Sequence, residues 1–81
     1  MDYKITDYEQ ACALRACKLG PKNIEIDPQN DKRCFFVFDD SPRVREVARK
    51  FGAAELKVNV LELTHAMRDL KAWMYSITQN S

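Results

Sequence analysis

The sequence predicts an α+β fold in the order helix, β-hairpin, helix, helix, with the helices packed on one face of a small antiparallel sheet. Three observations lead to this prediction. Residues 32–51 have the pattern of a buried strand, a tight turn and an amphipathic helix. An alternating strand precedes them, and apolar residues at helical spacing mark the segments near both ends of the chain.

Length and composition predict one small domain spanning residues 1–81. A chain of this size buries only about 60% of the surface that its unfolded state exposes. The sequence is 46% hydrophobic, which argues against disorder. The formal charge of +1 provides no overall attraction to nucleic acid or membrane. The polar N-terminus does not resemble a secretory leader, and no apolar run reaches the ~20 residues of a membrane span, so we expect a cytoplasmic protein with no membrane contact.

Three cysteines, Cys12, Cys17 and Cys34, lie in apolar patterns and lack metal-ligand spacing. An odd number of cysteines argues against a disulfide framework and favours a reducing compartment. We interpret them as small core residues and expect neither metal nor cofactor.

The first helix is predicted over residues 8–19, after a short lead-in that can form a brief extended segment. Thr6 or Asp7 is its N-cap, because both side chains accept hydrogen bonds from the first backbone amides. Gly20 is the predicted stop and Pro21 prevents continuation.

A β-hairpin follows, made of a half-buried strand over residues 22–27, a turn over 27–31 and a second strand. The five residues from Cys34 to Phe38 are all apolar, so both faces of the second strand require cover. One layer of three short helices cannot cover both faces. If one face is open, we expect it to bind a partner, and Phe35 and Val37 are the candidate residues. If both faces are covered, we expect the functional surface on the basic helix or at the C-terminal aromatic residues.

Ser41 is the predicted N-cap of the next helix, with Pro42 at its first position and Gly52 at its end. Asp39 and Asp40 resemble a metal or acid–base pair. Adjacent residues at a strand end point in opposite directions, and one acidic pair lacks the further ligands of a hard cation. We interpret them as turn and helix-start residues.

The last helix is predicted from Val60 to about Ile77, with Asn59 as N-cap and a frayed tail over 77–81. Residues 56–60 are either a short strand or an extended approach to it. Its apolar seam predicts packing on the core, with a dimer or partner helix as the alternative; the seam is Val60, Leu63, Met67, Leu70, Met74 and Ile77. Trp73 and Tyr75 are candidate interface residues, because aromatic side chains are enriched at binding hot spots.

Basic residues allow a nucleic-acid-binding alternative. Acidic residues are interspersed among them, which is typical of a solvated helix face. If they cluster in space they could contact phosphates; they are Lys32, Arg33, Arg43, Arg45, Arg49 and Lys50.

A catalytic constellation is not evident. His65 is the only histidine, and no nucleophile is placed near it by the sequence. With two glycines, the chain has no phosphate-binding loop. We therefore expect a non-enzymatic protein; a small hydrolase or redox enzyme using a cysteine and His65 is the third hypothesis.

Four blocks of the chain resemble a family of short uncharacterised phage and bacterial proteins, a domain of unknown function. They are YKITDYEQACALRACKLG, FFVFDDSPRVREVARKF, ELKVNVLELTHAM and RDLKAWMY. The chain departs from the family at 52–54 and in its cysteines. The resemblance implies a phage or prophage setting, within the cytoplasm of a bacterial cell, and carries no catalytic residue across. We expect an accessory protein that binds a host, replication or defence protein, and exposed sheet edges also allow a homodimer.

Overall fold

The computed structural model describes residues 1–79, with the side chains of all except Asp31, Lys32, Thr78 and Gln79. Three strands and three helices follow one another along the chain. They are β1 (Asp2–Ile5), α1 (Tyr8–Ala16), β2 (Asn23–Asp27), β3 (Asn30–Asp39), α2 (Pro42–Gly52) and α3 (Val60–Gln79).

The strands form one antiparallel sheet in the order β1-β3-β2, which confirms the α+β class. The predicted hairpin is β2 and β3. The lead-in before the first helix adds a third strand, because β1 pairs with the other side of β3. Both outer strands run antiparallel to β3 and hence parallel to each other, so α1 forms a crossover connection between them.

The central strand places its large aromatic residues on the covered face of the sheet. Phe36 lies opposite Ile5 on β1 and Ile24 on β2, and Phe38 lies opposite Tyr3. Phe36 and Phe38 are each 1% exposed. Side chains from all three helices join the same cluster; they include Cys12, Leu14, Val44, Val47, Ala48, Ala66 and Leu70.

Helix α3 lies mainly against α1 rather than across the hairpin. Its buried stripe is Leu63, Ala66, Leu70, Trp73, Met74 and Ile77. Four residues of the predicted seam belong to this stripe, whereas Val60 and Met67 are exposed; the four are Leu63, Leu70, Met74 and Ile77.

Helix α1 begins where the capping pattern predicts but ends early. The carboxylate of Asp7 accepts a 2.9 Å hydrogen bond from the amide of Glu9. The helix ends at Ala16, not at the predicted Leu19, because Lys18 adopts a φ of 68°. The amide of Leu19 then donates to the carbonyl of Leu14 at 3.0 Å, which closes the helix end ahead of Gly20.

Helix α2 begins at the predicted cap, since the hydroxyl of Ser41 accepts a 3.2 Å bond from the amide of Val44. Gly52 is the last residue of the helix, as predicted. The chain leaves the helical direction at Ala54, which has a φ of 58°. The amide of Glu55 then donates a 2.8 Å hydrogen bond to the carbonyl of Lys50.

Residues 55–59 join α2 to α3 without forming a strand. Asn59 caps α3 as predicted, since its side-chain oxygen accepts a 3.1 Å bond from the amide of Glu62. The helix continues through Gln79, past the predicted end at Ile77. Of the predicted frayed tail, Asn80 and Ser81 lie outside the described residues.

Candidate partner-binding surface

An apolar groove opens between α1, α3 and the segment that joins α2 to α3. Its volume is about 350 Å³. One lining residue, Glu9, is charged, and it comes from the first turn of α1. The others are Cys12, Ala13, Phe51, Leu56, Val58, Leu63 and Met67, and we call the whole set the apolar groove.

Three apolar side chains in the first half of α3 are exposed. Val60 is 78% exposed, Leu61 63% and Met67 39%. Met67 lines the groove itself, and Val60 follows two residues after Val58 in its wall. We call Val60, Leu61 and Met67 the α3 patch.

Leu61 and Leu70 are nine residues apart on α3, which places them on roughly opposite sides of the helix. Leu70 is buried in the core, so Leu61 is exposed. Val60 and Met67 were predicted in the core seam of α3, but both are exposed.

The open face of the sheet carries the predicted binding residues Phe35 and Val37. Val37 is only 2% exposed, and Phe35 is half-buried. On this face Lys4 of β1 lies opposite Val37, and Glu25 of β2 lies opposite Phe35.

An ion pair crosses β3 on this open face. Lys4 Nζ is 3.0 Å from Glu25 Oε1 and 5.9 Å from the centre of the Phe35 ring. Charged side chains with aliphatic stems thus cover much of a face that no helix covers. Charged side chains therefore form much of the outer surface at Phe35 and Val37, where a binding surface was predicted.

The two C-terminal aromatic candidates have different surroundings. Trp73 packs against the core from the buried stripe of α3. Tyr75 is 63% exposed on the other side of the same helix. The structure therefore separates these two candidates.

The basic residues proposed for nucleic-acid contact are mostly engaged with carboxylates. Arg45 donates two hydrogen bonds to Asp40, at 2.6 and 2.7 Å, and holds the pKa of that carboxyl below its ordinary value. Glu46 lies between the cations of α2, 3.9 Å from Arg49 and 3.7 Å from Lys50.

Arg33 and Arg43 form no ion pair with a carboxylate among the described side chains. Arg43 donates a 3.4 Å hydrogen bond to the carbonyl oxygen of Cys17. Arg33 is exposed on β3, and the side chain of Lys32 lies outside the described part of the chain.

His65 lies in a polar groove of about 310 Å³ between α1 and α3. Two ion pairs cross this groove, Arg15 with Asp69 and Lys18 with Glu62, each at 3.1 Å. None of its lining residues is a cysteine.

The cysteines are placed elsewhere in the domain. Cys12 and Cys34 are buried in the core, while Cys17 is half-buried in a third groove beside α2. Burial raises the pKa of the Cys12 thiol, which keeps it protonated. Within the described residues, no three histidine, cysteine or acidic side chains are grouped to hold a metal ion.

The fold and its surface define a small α+β domain with an accessible apolar groove bounded by helices. The chain belongs to the family described as Domain of unknown function (DUF5659), whose model matches residues 1–76. No curated protein and no solved structure matches it. None of the helices, over the part of the chain that the structure describes, is long and apolar enough to cross a membrane.

Proposed function

We propose that this protein is a non-enzymatic accessory module that binds a protein partner through the α3 patch and the apolar groove. The observation that carries this proposal is the 63% exposure of Leu61, on a helix whose opposite side is buried in the core. Contiguous exposed apolar surface, bordered by polar residues, is typical of protein interaction sites.

Burial of this surface provides the binding energy. Transferring one leucine-sized side chain from water into an apolar contact stabilises by about 1.5–3 kcal/mol. A contact that buries Leu61 is therefore sufficient for a measurable effect of a single substitution. The capped start of α3 at Asn59 holds the patch on a regular helix, which reduces the ordering cost of binding.

We base the proposed biological setting, a phage or prophage in a bacterial cell, on the resemblance to short phage and bacterial proteins. A small cytoplasmic protein of a phage or prophage acts on the proteins of its bacterial host. We therefore propose a host, replication or defence protein as the partner. The exposed edges of β1 and β2 make a second copy of the chain the alternative occupant.

The test compares capture from bacterial lysate by three forms of the protein. The unmodified chain and Ala72→Glu, an exposed change on the same helix away from the patch, should recover the same partner in stoichiometric amount. Leu61→Glu should recover at least about tenfold less, since it places a charge in an apolar contact. Equal recovery by Leu61→Glu would contradict the assignment of the patch. A monomer in sedimentation that captures nothing stoichiometric would contradict the proposed function as a whole.

Nucleic-acid binding through the basic side of α2 is the competing proposal. The carboxylates of Asp40 and Glu46 beside Arg45, Arg49 and Lys50 count against it, since they reduce the positive potential that attracts phosphates. Fluorescence anisotropy titrations of DNA and RNA at low and moderate salt decide it. Salt-sensitive binding that Arg49→Ala weakens would favour this alternative, and no binding at low salt removes it.

An enzyme that uses a cysteine with His65 is the third alternative. Its test is His65→Ala in the biological assay, once the partner defines one. Full activity of this variant would exclude a catalytic role for the histidine.

A further inference from the structure

The carboxylate of Glu9 forms no ion pair and no hydrogen bond among the side chains that the structure describes. Among the described side chains it is the only carboxylate with neither an ion pair nor a hydrogen bond. Asp7 and Asp27 accept hydrogen bonds from backbone amides. The remaining described carboxylates form ion pairs; they are Asp2, Glu25, Asp39, Asp40, Glu46, Glu55, Glu62 and Asp69.

This unpaired carboxylate lies at the edge of the apolar groove. Every other residue that lines the groove is apolar or a cysteine, and the thiol of Cys12 is fully buried. The cations next in sequence to wall residues are Lys50, Lys57 and Arg68, and none of them lines the groove. The groove therefore presents an apolar cavity with a single negative charge at its edge.

The dimensions of the groove restrict what it can hold. A volume of about 350 Å³ is at the lower end of the range for ligand sites. It accommodates one or two bulky side chains, not a whole secondary-structure element. Its walls are α1, the end of α2, the segment 55–59 and α3, and none of them is a sheet edge. A partner segment in a helix satisfies its own backbone hydrogen bonds, whereas an extended segment would find no strand to pair with there.

We propose that the apolar groove binds an amphipathic helix of the partner protein, which inserts a bulky apolar side chain while its Lys or Arg one turn away pairs with Glu9. Residues three or four positions apart share one face of a helix at about 5–6 Å, which suits an anchor and a cation on the same surface. This inference rests on the proposed function and adds the chemistry of the partner segment.

The probe is a pair of alanine-based helical peptides of about 16 residues, long enough to be helical in water. One peptide carries Leu with Lys four positions away, and the other carries Leu with Glu there. Each is titrated into isotope-labelled protein, with two-dimensional amide NMR as the readout. We expect the Lys peptide to bind roughly fivefold more tightly than the Glu peptide, with shifts at Ala13, Leu63 and Met67.

Substitutions at Glu9 test whether its carboxylate causes the preference for the Lys peptide. Glu9→Gln should abolish the preference between the peptides, and Glu9→Lys should invert it. Glu55→Lys is the matched control, because Glu55 is ion-paired with Arg49 and does not line the groove; it should keep the preference. Unchanged amide spectra away from the groove show that each variant is folded.

The results that overturn this inference differ from those that overturn the proposed function. Equal affinity for both peptides, an unchanged preference in Glu9→Lys, or no binding of either peptide up to about 1 mM overturns the helix-and-cation assignment. A concentration-dependent dimer that protects the groove also overturns it, in favour of a second copy. In each case, if Leu61→Glu still loses capture of the partner, the proposed function remains supported.

Discussion

The hydroxyl of Tyr8 donates a 2.8 Å hydrogen bond to the carbonyl oxygen of Met67, which ties the first turn of α1 to the middle of α3. The ring of Tyr8 lies on the other side against Phe36, with ring centres 6.3 Å apart. One side chain therefore connects the sheet, α1 and α3. Because Met67 lines the apolar groove, this connection also holds one wall of the proposed binding surface.

Tyr8→Phe should lower the free energy of unfolding by about 1 kcal/mol. The substitution keeps the ring against Phe36 and removes the hydroxyl, and with it the hydrogen bond to Met67. Tyr3→Phe is the control: Tyr3 packs against the core without a hydrogen bond from its hydroxyl among the described residues, so we expect a change within about 0.5 kcal/mol. Urea denaturation followed by circular dichroism measures both, and equal effects of the two substitutions would contradict a role for the hydrogen bond.

The same tyrosine predicts a loss of stability at alkaline pH. Burial, and next hydrogen bonding with Cys12, raise the pKa of Tyr8 from 10.0 to about 12. The unfolded chain ionises this phenol at lower pH than the folded chain does. The stabilisation is therefore complete below pH 10.0 and is lost as the pH rises from 10.0 to about 12.

Denaturation curves across this pH range, for the unmodified protein and for Tyr8→Phe, isolate this contribution from other alkaline titrations. The unmodified protein should lose stability more steeply than the variant. Parallel curves would show that Tyr8 ionises normally in the folded state.

Two leucines on α3 should differ sharply in their effect on stability. Leu70 is 1% exposed within the buried stripe, whereas Leu61 is 63% exposed in the α3 patch. Leu70→Ala should cost about 2–5 kcal/mol, because it leaves a cavity in a small core. Leu61→Ala should stay within about 0.5 kcal/mol. Similar losses for both variants would place Leu61 in the core and remove the basis of the proposed binding surface.

Local patterns in the sequence were sufficient for most of the fold. Ser41 and Asn59 were located as caps because a capping side chain acts within three residues of itself, so its neighbours in the chain determine its role. The apolar run from Cys34 to Phe38 likewise identified the central strand. In these cases the interactions that decide the structure are close in sequence.

Long-range interactions were harder to predict. Pairing of β1 with β3 joins residues more than thirty positions apart, such as Tyr3 and Phe38, and four residues are too short for a clear periodic signal. The ion pair between Lys4 and Glu25 depends on that pairing, so the cover over Val37 was not foreseen. The apolar groove depends on three helices and a connecting segment, whose relative positions a single sequence does not determine.

The two glycines have different outcomes. Gly20 was predicted to stop α1, because glycine adopts positive φ readily, but α1 ends earlier, at Ala16. Gly52 is the last residue of α2, as predicted. Neither glycine has a positive φ; Lys18 at 68° and Ala54 at 58° adopt it instead, at a cost of about 1–2 kcal/mol for a residue with a side chain.

Exchanging the residue types at the end of α2 should therefore stabilise the protein. Ala54→Gly removes the penalty of the left-handed conformation, with an expected gain of about 1 kcal/mol. Gly52→Ala should add about 0.5–1 kcal/mol, since Gly52 is helical and an added methyl group would meet nothing within 4 Å.

The control for this exchange is Ala53→Gly, which lies between the two positions at φ −89° and should give no gain. Thermal and urea denaturation of the single variants and of the combined Gly52→Ala, Ala54→Gly protein provide the measurement. The combined variant is needed because residues two positions apart can couple. A loss of stability in Ala54→Gly would mean that the helix ends without the left-handed residue, and the segment 55–59 that walls the apolar groove would then take a different path.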